Sequence, residues 1–404
     1  MKKIVLHILI LFLIISVNTQ AQHSTTAEDS LQSNSLALLK GTTLGGYGNA
    51  VYRRDFNEKI SSMNLDRFVL FVGHKFNKQI SFFSEIEFED AKVSGGEAGG
   101  EVALEQCFLK FNLNKNNYLV AGLFIPRIGI LNENHLPNTF NGNERTLVET
   151  FIIPSTWREL GAGLYGNLNS FPLSYSVGIM NGLNSSAFEH GTVIRDGRFE
   201  GREASANNLA ATASLQYNKN NFKFQVSGYY GGTVGLSPDE ASSLKLESGV
   251  FSLPVMLGEA NLQFESLGFS TRLLGTILSI SDAKEINRAY GNNIPEVAYG
   301  IYGEIAYNLF ENSEKLKSEE FNIFVRYEKL DMNATIPTNG LIDGTLDQQH
   351  IITGITYLPT KNVAIKADLR LKHTGKQNPN LVINPNETYK VDNTFLNLGL
   401  GFSF

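Results

Sequence analysis

Cysteine and positive charge are scarce in this 404-residue sequence. A single cysteine, Cys107, excludes an intrachain disulfide framework and a cysteine-based metal cluster. The 34 Lys and Arg residues are outnumbered by 40 Asp and Glu, so the net charge of −6 excludes a nucleic-acid-binding protein that relies on bulk positive charge. Long apolar runs are also missing after the first residues, and a membrane-spanning helix needs about 20 apolar residues in succession.

The first 21 residues have the pattern of a secretory signal peptide. Lys2 and Lys3 give a positive start, residues 4–17 form an almost unbroken apolar stretch, and Ala21 ends a cleavage site of small residues. The alternative is an uncleaved anchor helix, for which the apolar stretch is short. The sequence therefore predicts that the chain leaves the cytoplasm.

The rest of the chain is dominated by alternation with period two. In the last segment, Leu396 and Leu398 fall on one face and Asn397 and Gly399 on the other, as expected for a strand with one apolar face. For residues 103–111 the facing is left open, because the charged residues there fit neither face cleanly. The predicted strands are 44–54, 64–76, 80–90, 102–113, 118–126, 157–168, 172–181, 207–217, 221–231, 256–265, 267–280, 296–310, 321–331, 348–358, 362–371 and 393–404.

Short and long connections alternate between these segments. Asn-rich turns such as 114–117 and 218–221 are short, whereas 55–63, 127–156 and 332–346 are long. A soluble β-sandwich would not need this alternation, whereas an outer-membrane barrel has short periplasmic turns and long extracellular loops. A closed barrel also pairs every backbone N–H and C=O within the membrane.

We therefore expect an all-β protein, a transmembrane antiparallel β-barrel of about 16 strands. The expected domains are a signal peptide over 1–21, a short periplasmic N-terminal segment over 22–41 and an outer-membrane barrel over 42–404. A barrel of this size leaves a water-filled lumen.

The longest loop, 127–156, is too apolar to lie free in water. We expect it to fold inward and narrow the lumen, with a short helix over 143–150 capped by Asn143. Packing against other external loops, or contact within a trimer, is the alternative. Its apolar residues are Leu131, Leu136, Phe140, Leu147, Phe151, Ile152 and Ile153.

This part of the chain resembles the phosphate-selective porin O/P family. The resemblance is carried by AGLFIPR at 121–127, NER at 143–145, IPSTWRELGAGLYG at 153–166 and the final strand ending at Phe404. It implies a 16-stranded, homotrimeric outer-membrane channel of a Gram-negative bacterium, whose lumen arginines and lysines attract anions.

The resemblance makes Arg145 and Arg158 candidate residues of an anion-binding pore constriction, with Arg127 a weaker third. A guanidinium group suits phosphate because it donates two parallel, charge-assisted hydrogen bonds. The alternative is that Arg145 pairs with Glu149 and Arg158 with a neighbouring carboxylate, as weak ion pairs on a solvated loop.

Other predicted lumen charges have mixed sign. Glu85, Glu87 and Glu89 share one face of the third predicted strand, and three carboxylates together would attract cations. The remaining lumen candidates are Arg326, Lys366 and Arg370. Anion preference is therefore an open expectation.

The expected function is passive diffusion of small hydrophilic solutes and ions through an outer-membrane porin. The expected partners are membrane lipid, polar solutes or inorganic anions, and copies of the same chain, with no nucleic acid and no cofactor. An enzyme is disfavoured because the histidines are scattered and none lies in a Gly-x-Ser-x-Gly context. The alternatives are a barrel for uptake of hydrophobic substrates and a surface-binding or adhesion barrel without an open pore.

Overall fold

A closed antiparallel β-barrel forms the body of the protein in the computed structural model, which describes residues 36–39, 41–89, 101–168, 171–381 and 389–404. The predicted signal peptide and most of the segment 22–41 lie outside the described residues. The strands are β1 (Leu36–Leu39), β2 (Thr42–Asp55), β3 (Ile60–Lys75), β4 (Ile80–Glu89), β5 (Glu101–Asn112), β6 (Asn117–Phe124), β7 (Glu159–Leu168), β8 (Leu173–Asn181), β9 (Leu209–Lys219), β10 (Phe222–Gly231), β11 (Val255–Ser266), β12 (Phe269–Ile280), β13 (Val297–Asn308), β14 (Glu320–Thr335), β15 (Asp347–Thr360), β16 (Val363–Thr374) and β17 (Asp392–Ser403).

The barrel closes where its last strand pairs with its first. Each strand from β2 to β17 pairs with the next, and β17 pairs with β2, which makes 16 strands. At this seam the Phe404 carbonyl accepts a hydrogen bond from the Gly46 amide at 2.9 Å, and the reciprocal bond is 2.8 Å. The predicted fold class is confirmed, and all sixteen predicted segments coincide with barrel strands. The short β1 pairs with β2.

The two faces of each strand follow the alternation in the sequence. On β13, Ile301 and Ile305 point outward and are 55% and 54% exposed, whereas Ala298, Tyr302 and Glu304 point inward and are buried. Outward apolar and inward polar side chains are what a barrel in a lipid bilayer requires.

Two predicted long loops are shorter than expected. The connection between β2 and β3 is only 56–59, because the pairing continues out to Asp55 and Ile60. Likewise β14 extends to Thr335, which shortens the predicted loop 332–346 at its beginning. The added residues do not continue the outward apolar alternation, because Ile60 and Met63 of β3 are three residues apart and Met332 of β14 is buried.

Within the connections that the structure describes, there are three short α-helices: α1 (Leu147–Phe151), α2 (Pro238–Ser243) and α3 (Ala283–Tyr290). In the described part of the chain, no helix combines the length and apolar character needed to cross a membrane. The predicted helix over 143–150 begins only at Leu147, and Asn143 does not cap it.

The extracellular loops pack together over one side of the barrel. Connections after β8, β10 and β12 contribute Leu183, Ile194, Leu253 and Ile286 to a buried apolar cluster. Trp157, at the start of the return to β7, is fully buried in the same cluster. The cluster fixes the loop 127–156 from its extracellular side.

Candidate pore constriction

The loop 127–156, here called the folded loop, packs inside the barrel against its wall. Inward carboxylates accept hydrogen bonds from it: Glu259 from the Gly129 amide at 3.2 Å, and Asp368 from the Asn143 amide at 2.8 Å. Glu328 accepts from the Leu147 amide at 2.6 Å. These carboxylates lie on β11, β16 and β14, so the loop is fastened at widely separated points of the wall.

The carboxylate of Glu328 replaces the expected side-chain cap of helix α1. It accepts from the first two amides of the helix, Leu147 at 2.6 Å and Val148 at 3.2 Å. The residue before the helix, Thr146, makes no cap bond. The free amides of a helix N-terminus carry partial positive charge, so a negative side chain stabilises them.

Cations of the wall bind the loop's backbone carbonyls. Lys366 Nζ donates to Phe140 at 2.7 Å and to Gly142 at 2.8 Å. Arg326 donates to the Asn141 carbonyl at 3.3 Å and is 3.2 Å from a carboxylate oxygen of Glu304. Arg326 and Lys366 were predicted as lumen charges, and the structure places both in the anchorage of the folded loop.

Glycines in the wall leave the space that the loop fills. A Cβ atom on Gly300 would lie 2.7 Å from Val148 Cγ1, and one on Gly401 would lie 2.7 Å from Pro137 Cβ. Both distances are shorter than real Cβ contacts, so these two positions accept only glycine while the loop is docked.

Glu149 of helix α1 connects the end of the folded loop to its beginning. Its carboxylate accepts from the amides of Ile130 at 2.6 Å and Leu131 at 2.7 Å, and from the Tyr302 hydroxyl at 2.8 Å. Burial raises the pKa of Glu149 above its usual range, although these donors act in the opposite direction. The ion pair between Arg145 and Glu149 considered from the sequence is not formed.

Arg145 has no carboxylate partner within 4.0 Å among the residues that the structure describes. Its one hydrogen bond runs from Nη1 to the Thr156 hydroxyl at 3.4 Å, and its Nη2 is buried without a partner. Burial, and then the neighbouring Arg67, lower the pKa of Arg145 to about 10. The guanidinium therefore keeps its positive charge at neutral pH.

The other two candidate arginines are paired. Arg158 Nη2 is 2.7 Å from Glu200, and Arg127 Nε is 3.3 Å from Glu133. The alternative of an ion pair with a nearby carboxylate therefore holds for Arg158 and fails for Arg145, and Arg127 is paired as well.

Partly exposed charges of both signs lie beside the loop's tip. Glu144 is 3.5 Å from Arg53 and 3.0 Å from Arg370, and Arg53 is 2.7 Å from Asp66. Their side chains keep 15–30% of their surface exposed. Sequence reasoning named only Arg370 of these four, although the alternation of β2 places Arg53 on the same face as the buried Tyr47 and Val51.

The predicted acidic face of β4 is divided between a buried and an exposed part. Glu85 and Glu87 are 2% and 3% exposed, whereas Glu89 is exposed at the strand end. Glu87 is 3.4 Å from Arg67, and Glu85 accepts from Gln106 Nε2 at 3.0 Å. The two buried carboxylates are thus held within the wall.

A β-bulge explains why residues 103–111 fitted neither register. Gln106 lies opposite Glu85 and Leu104 opposite Ile86, so Glu105 is the extra residue. Inward facing changes at this point from odd to even positions, as bulges commonly produce. Glu105, whose facing the sequence left open, is consequently fully buried on the lumen side.

On the periplasmic side of the folded loop, a cavity of about 460 Å³ opens toward the short turns. Glu133 and Thr139 of the loop line it together with Lys223, Glu265 and Arg272 of the wall. Charged side chains of both signs therefore also line the lumen between the folded loop and the short turns.

A scan against family models gave no match. A protein of Aquifex aeolicus (strain VF5), described as an uncharacterized protein, is 32% identical over 342 residues, which span 81% of this chain and 75% of that one. The chain belongs to the same family as this Aquifex protein.

Solved structures similar to this chain are outer-membrane barrels. The Salmonella typhi OmpF complex with daunomycin has a TM-score of 0.55 at 13% identity and covers 90% of this chain and 98% of its own. The outer-membrane channel DcaP of Acinetobacter baumannii has a TM-score of 0.53 at 11% identity, with 92% and 99% covered. At such identities the likeness establishes the fold, which is that of outer-membrane porins. The resemblance to the phosphate-selective porin O/P family stays a prediction.

Proposed function

We propose that this protein is an outer-membrane porin through which small hydrophilic solutes and ions diffuse passively. The observation that carries the proposal is the folded loop, bonded at several points to the inner wall of a 16-stranded barrel beside partly exposed charges. A loop held in this way narrows a lumen without filling it, and solutes cross beside it. The proposal includes export by the predicted signal peptide, insertion in a Gram-negative outer membrane and assembly as a homotrimer.

The mechanism is diffusion under an electrostatic bias. Glu144 on the loop and Arg53, Asp66 and Arg370 on the wall hold charges of opposite sign close together. Charges arranged around a narrow aqueous passage determine which ions enter it. This mechanism involves no covalent step, so we propose a transport protein and not an enzyme.

Arg145 supports a preference for anions, including phosphate. Unlike Arg127 and Arg158, its charge has no carboxylate within salt-bridge distance among the described residues, and one of its nitrogens has no partner. A buried donor without a partner favours an anion that supplies acceptors. The exposed carboxylate of Glu89 acts against this preference, so we expect it to be modest.

Planar-bilayer recordings under a KCl gradient test the proposal. We expect discrete conductance steps and a reversal potential on the anion-selective side, with chloride current reduced when phosphate is added. Arg145→Gln should lower the anion-to-cation permeability ratio by about twofold or more, since a fixed charge in a narrow pore acts at short range.

Arg158→Gln is the matched control, because it also removes one positive charge but from an arginine that is paired with Glu200, and Glu200 keeps Arg198 at 2.8 Å as its partner in the variant. Equal ion selectivity of the two variants would refute the role of Arg145 without contradicting the proposal that the protein is a porin. Folded, heat-modifiable protein that gives no steps would refute the porin itself and favour the adhesion barrel or a hydrophobic-substrate transporter.

A further inference from the structure

A buried group of metal-ligating side chains joins the folded loop to the barrel wall. Glu85 on β4, Glu105 on β5 and His135 on the folded loop each offer one ligand atom, and these three atoms lie within 4.8 Å of one another. All three residues are at most 2% exposed. This group is separate from Arg53, Glu144 and the other partly exposed charges of the proposed passage.

Local structure directs these side chains to one point. The β-bulge turns Glu105 toward the lumen, and Gln106 next to it holds Glu85 by a hydrogen bond of 3.0 Å. The hydroxyl of Tyr47 on β2 donates to Glu105 Oε2 at 2.8 Å and is 3.0 Å from His135 Nε2. Bulges often re-aim a side chain beside a functional site.

One carboxylate oxygen of the group has no donor. Glu105 Oε1 is buried without a hydrogen-bond partner, and the nearest nitrogens are His135 Nε2 at 3.5 Å and Arg67 Nη1 at 4.0 Å. A buried carboxylate oxygen without a donor is costly, and a cation at this point would remove the cost.

The ligand types of the group suit a divalent ion. Glu85 and Glu105 each direct a carboxylate oxygen to the point that they share with His135. Of the nearby cations, Arg67 is 4.0 Å from Glu105 and 3.4 Å from Glu87, and Arg145 acts on Glu105 electrostatically without forming a salt bridge. One imidazole and two carboxylates form a ligand set that first-row transition metals accept, with a hydroxyl or water completing the shell.

We propose that Glu85, Glu105 and His135 bind one divalent transition-metal ion, with Zn²⁺ as the first candidate, and that this ion fastens the folded loop to the barrel wall. Because His135 is the only ligand on the loop, binding links loop docking to metal concentration. The inference does not depend on the selectivity proposed for the passage.

Metal titration of the intact barrel in detergent tests the site. The full chain without a histidine tag is stripped with a chelator and titrated with Co²⁺, whose visible absorption reports nitrogen and oxygen ligation, and Zn²⁺ is then added as a competitor. We expect one Co²⁺ per chain, displaced by Zn²⁺. Glu105→Gln and His135→Gln should each weaken binding by about tenfold or more, since each removes a ligand.

His350→Gln is the matched control, because His350 is equally buried on the wall but outside the group. It should bind Co²⁺ as the parent chain does. Absence of saturable one-to-one binding in the parent chain, or unchanged binding in His135→Gln, would overturn the proposal.

A measurement on the parent chain covers the case in which the variants do not fold. Carbethoxylation by diethyl pyrocarbonate, followed by mass spectrometry, reports the reactivity of each histidine. The reagent reaches the buried His135 only when the folded loop opens, so Zn²⁺ should slow its modification several-fold and leave His190 unaffected. Equal rates at His135 with and without Zn²⁺ would contradict the site.

Discussion

The electrostatic effect of a charged residue in the lumen depends on the partner that the fold places beside it. Arg145 and Arg158, with Arg127 a weaker third, were the candidate constriction residues in the sequence, yet of these three only Arg145 lacks a carboxylate partner in the described residues. This difference could not be predicted, because Glu200 reaches Arg158 only after distant parts of the chain have folded together, and Glu133 reaches Arg127 only through the conformation of the folded loop.

The carboxylate of Glu328 provides a residue-scale prediction. Glu328→Gln should loosen helix α1, because the amides of Leu147 and Val148 lose a charged acceptor worth about 1.5–3 kcal/mol per bond. Channel recordings should then show more frequent fluctuations of the open current. Glu320→Gln, at the periplasmic start of β14, should leave them unchanged. An unchanged frequency of open-current fluctuations in Glu328→Gln would show that this carboxylate does not hold the folded loop in place.

Trp157 supplies a direct measure of loop docking, because it is the one tryptophan of the chain. It is fully buried and its ring centroid is 4.5 Å from that of Tyr229. The folded barrel should emit at shorter wavelength than the urea-unfolded chain and resist quenching by acrylamide several-fold better. Emission typical of indole in water from a heat-modifiable barrel would contradict the described packing.

At the scale of elements, the strands were predictable and their detailed contacts were not. Alternation with period two is local, so all sixteen barrel segments could be found in sequence. The β-bulge at Glu105 depends on pairing with β4, and the anchors of the folded loop lie more than 100 residues away in the chain, at Glu259 and Asp368. No local pattern contains that information.

Because the folded loop packs against the wall, we expect alanine substitutions at two wall glycines to differ sharply in their effect on loop docking. Gly300→Ala places a methyl group 2.7 Å from Val148 Cγ1 and should displace α1, at a cost of about 1–3 kcal/mol. Acrylamide should then quench Trp157 more strongly than in the parent chain. Gly275→Ala on β12 is the control, because its Cβ would meet nothing within 4 Å. Equal quenching in both variants would rule out close contact of α1 with β13.

For the whole molecule, stability depends on an uninterrupted apolar belt toward the lipid. Ile301, near the middle of β13, points outward and is 55% exposed. Ile301→Arg should lower the free energy of unfolding from lipid vesicles by about 2–4 kcal/mol, because it places a charge near the bilayer midplane. Leu267→Arg should cost about 1 kcal/mol or less, since Leu267 lies in the short periplasmic turn after β11 at the membrane boundary.

Urea titration with Trp157 emission as the readout gives both unfolding free energies. The comparison locates the membrane on the barrel, because both side chains are largely exposed in the protein alone, Leu267 at 81% and Ile301 at 55%, and they lie at different depths along the strands. If both substitutions cost the same small amount, the outward face of β13 would not lie in hydrocarbon. If Ile301→Arg alone is costly, the apolar belt spans the bilayer at the height of the folded loop, and the proposed constriction lies within the membrane.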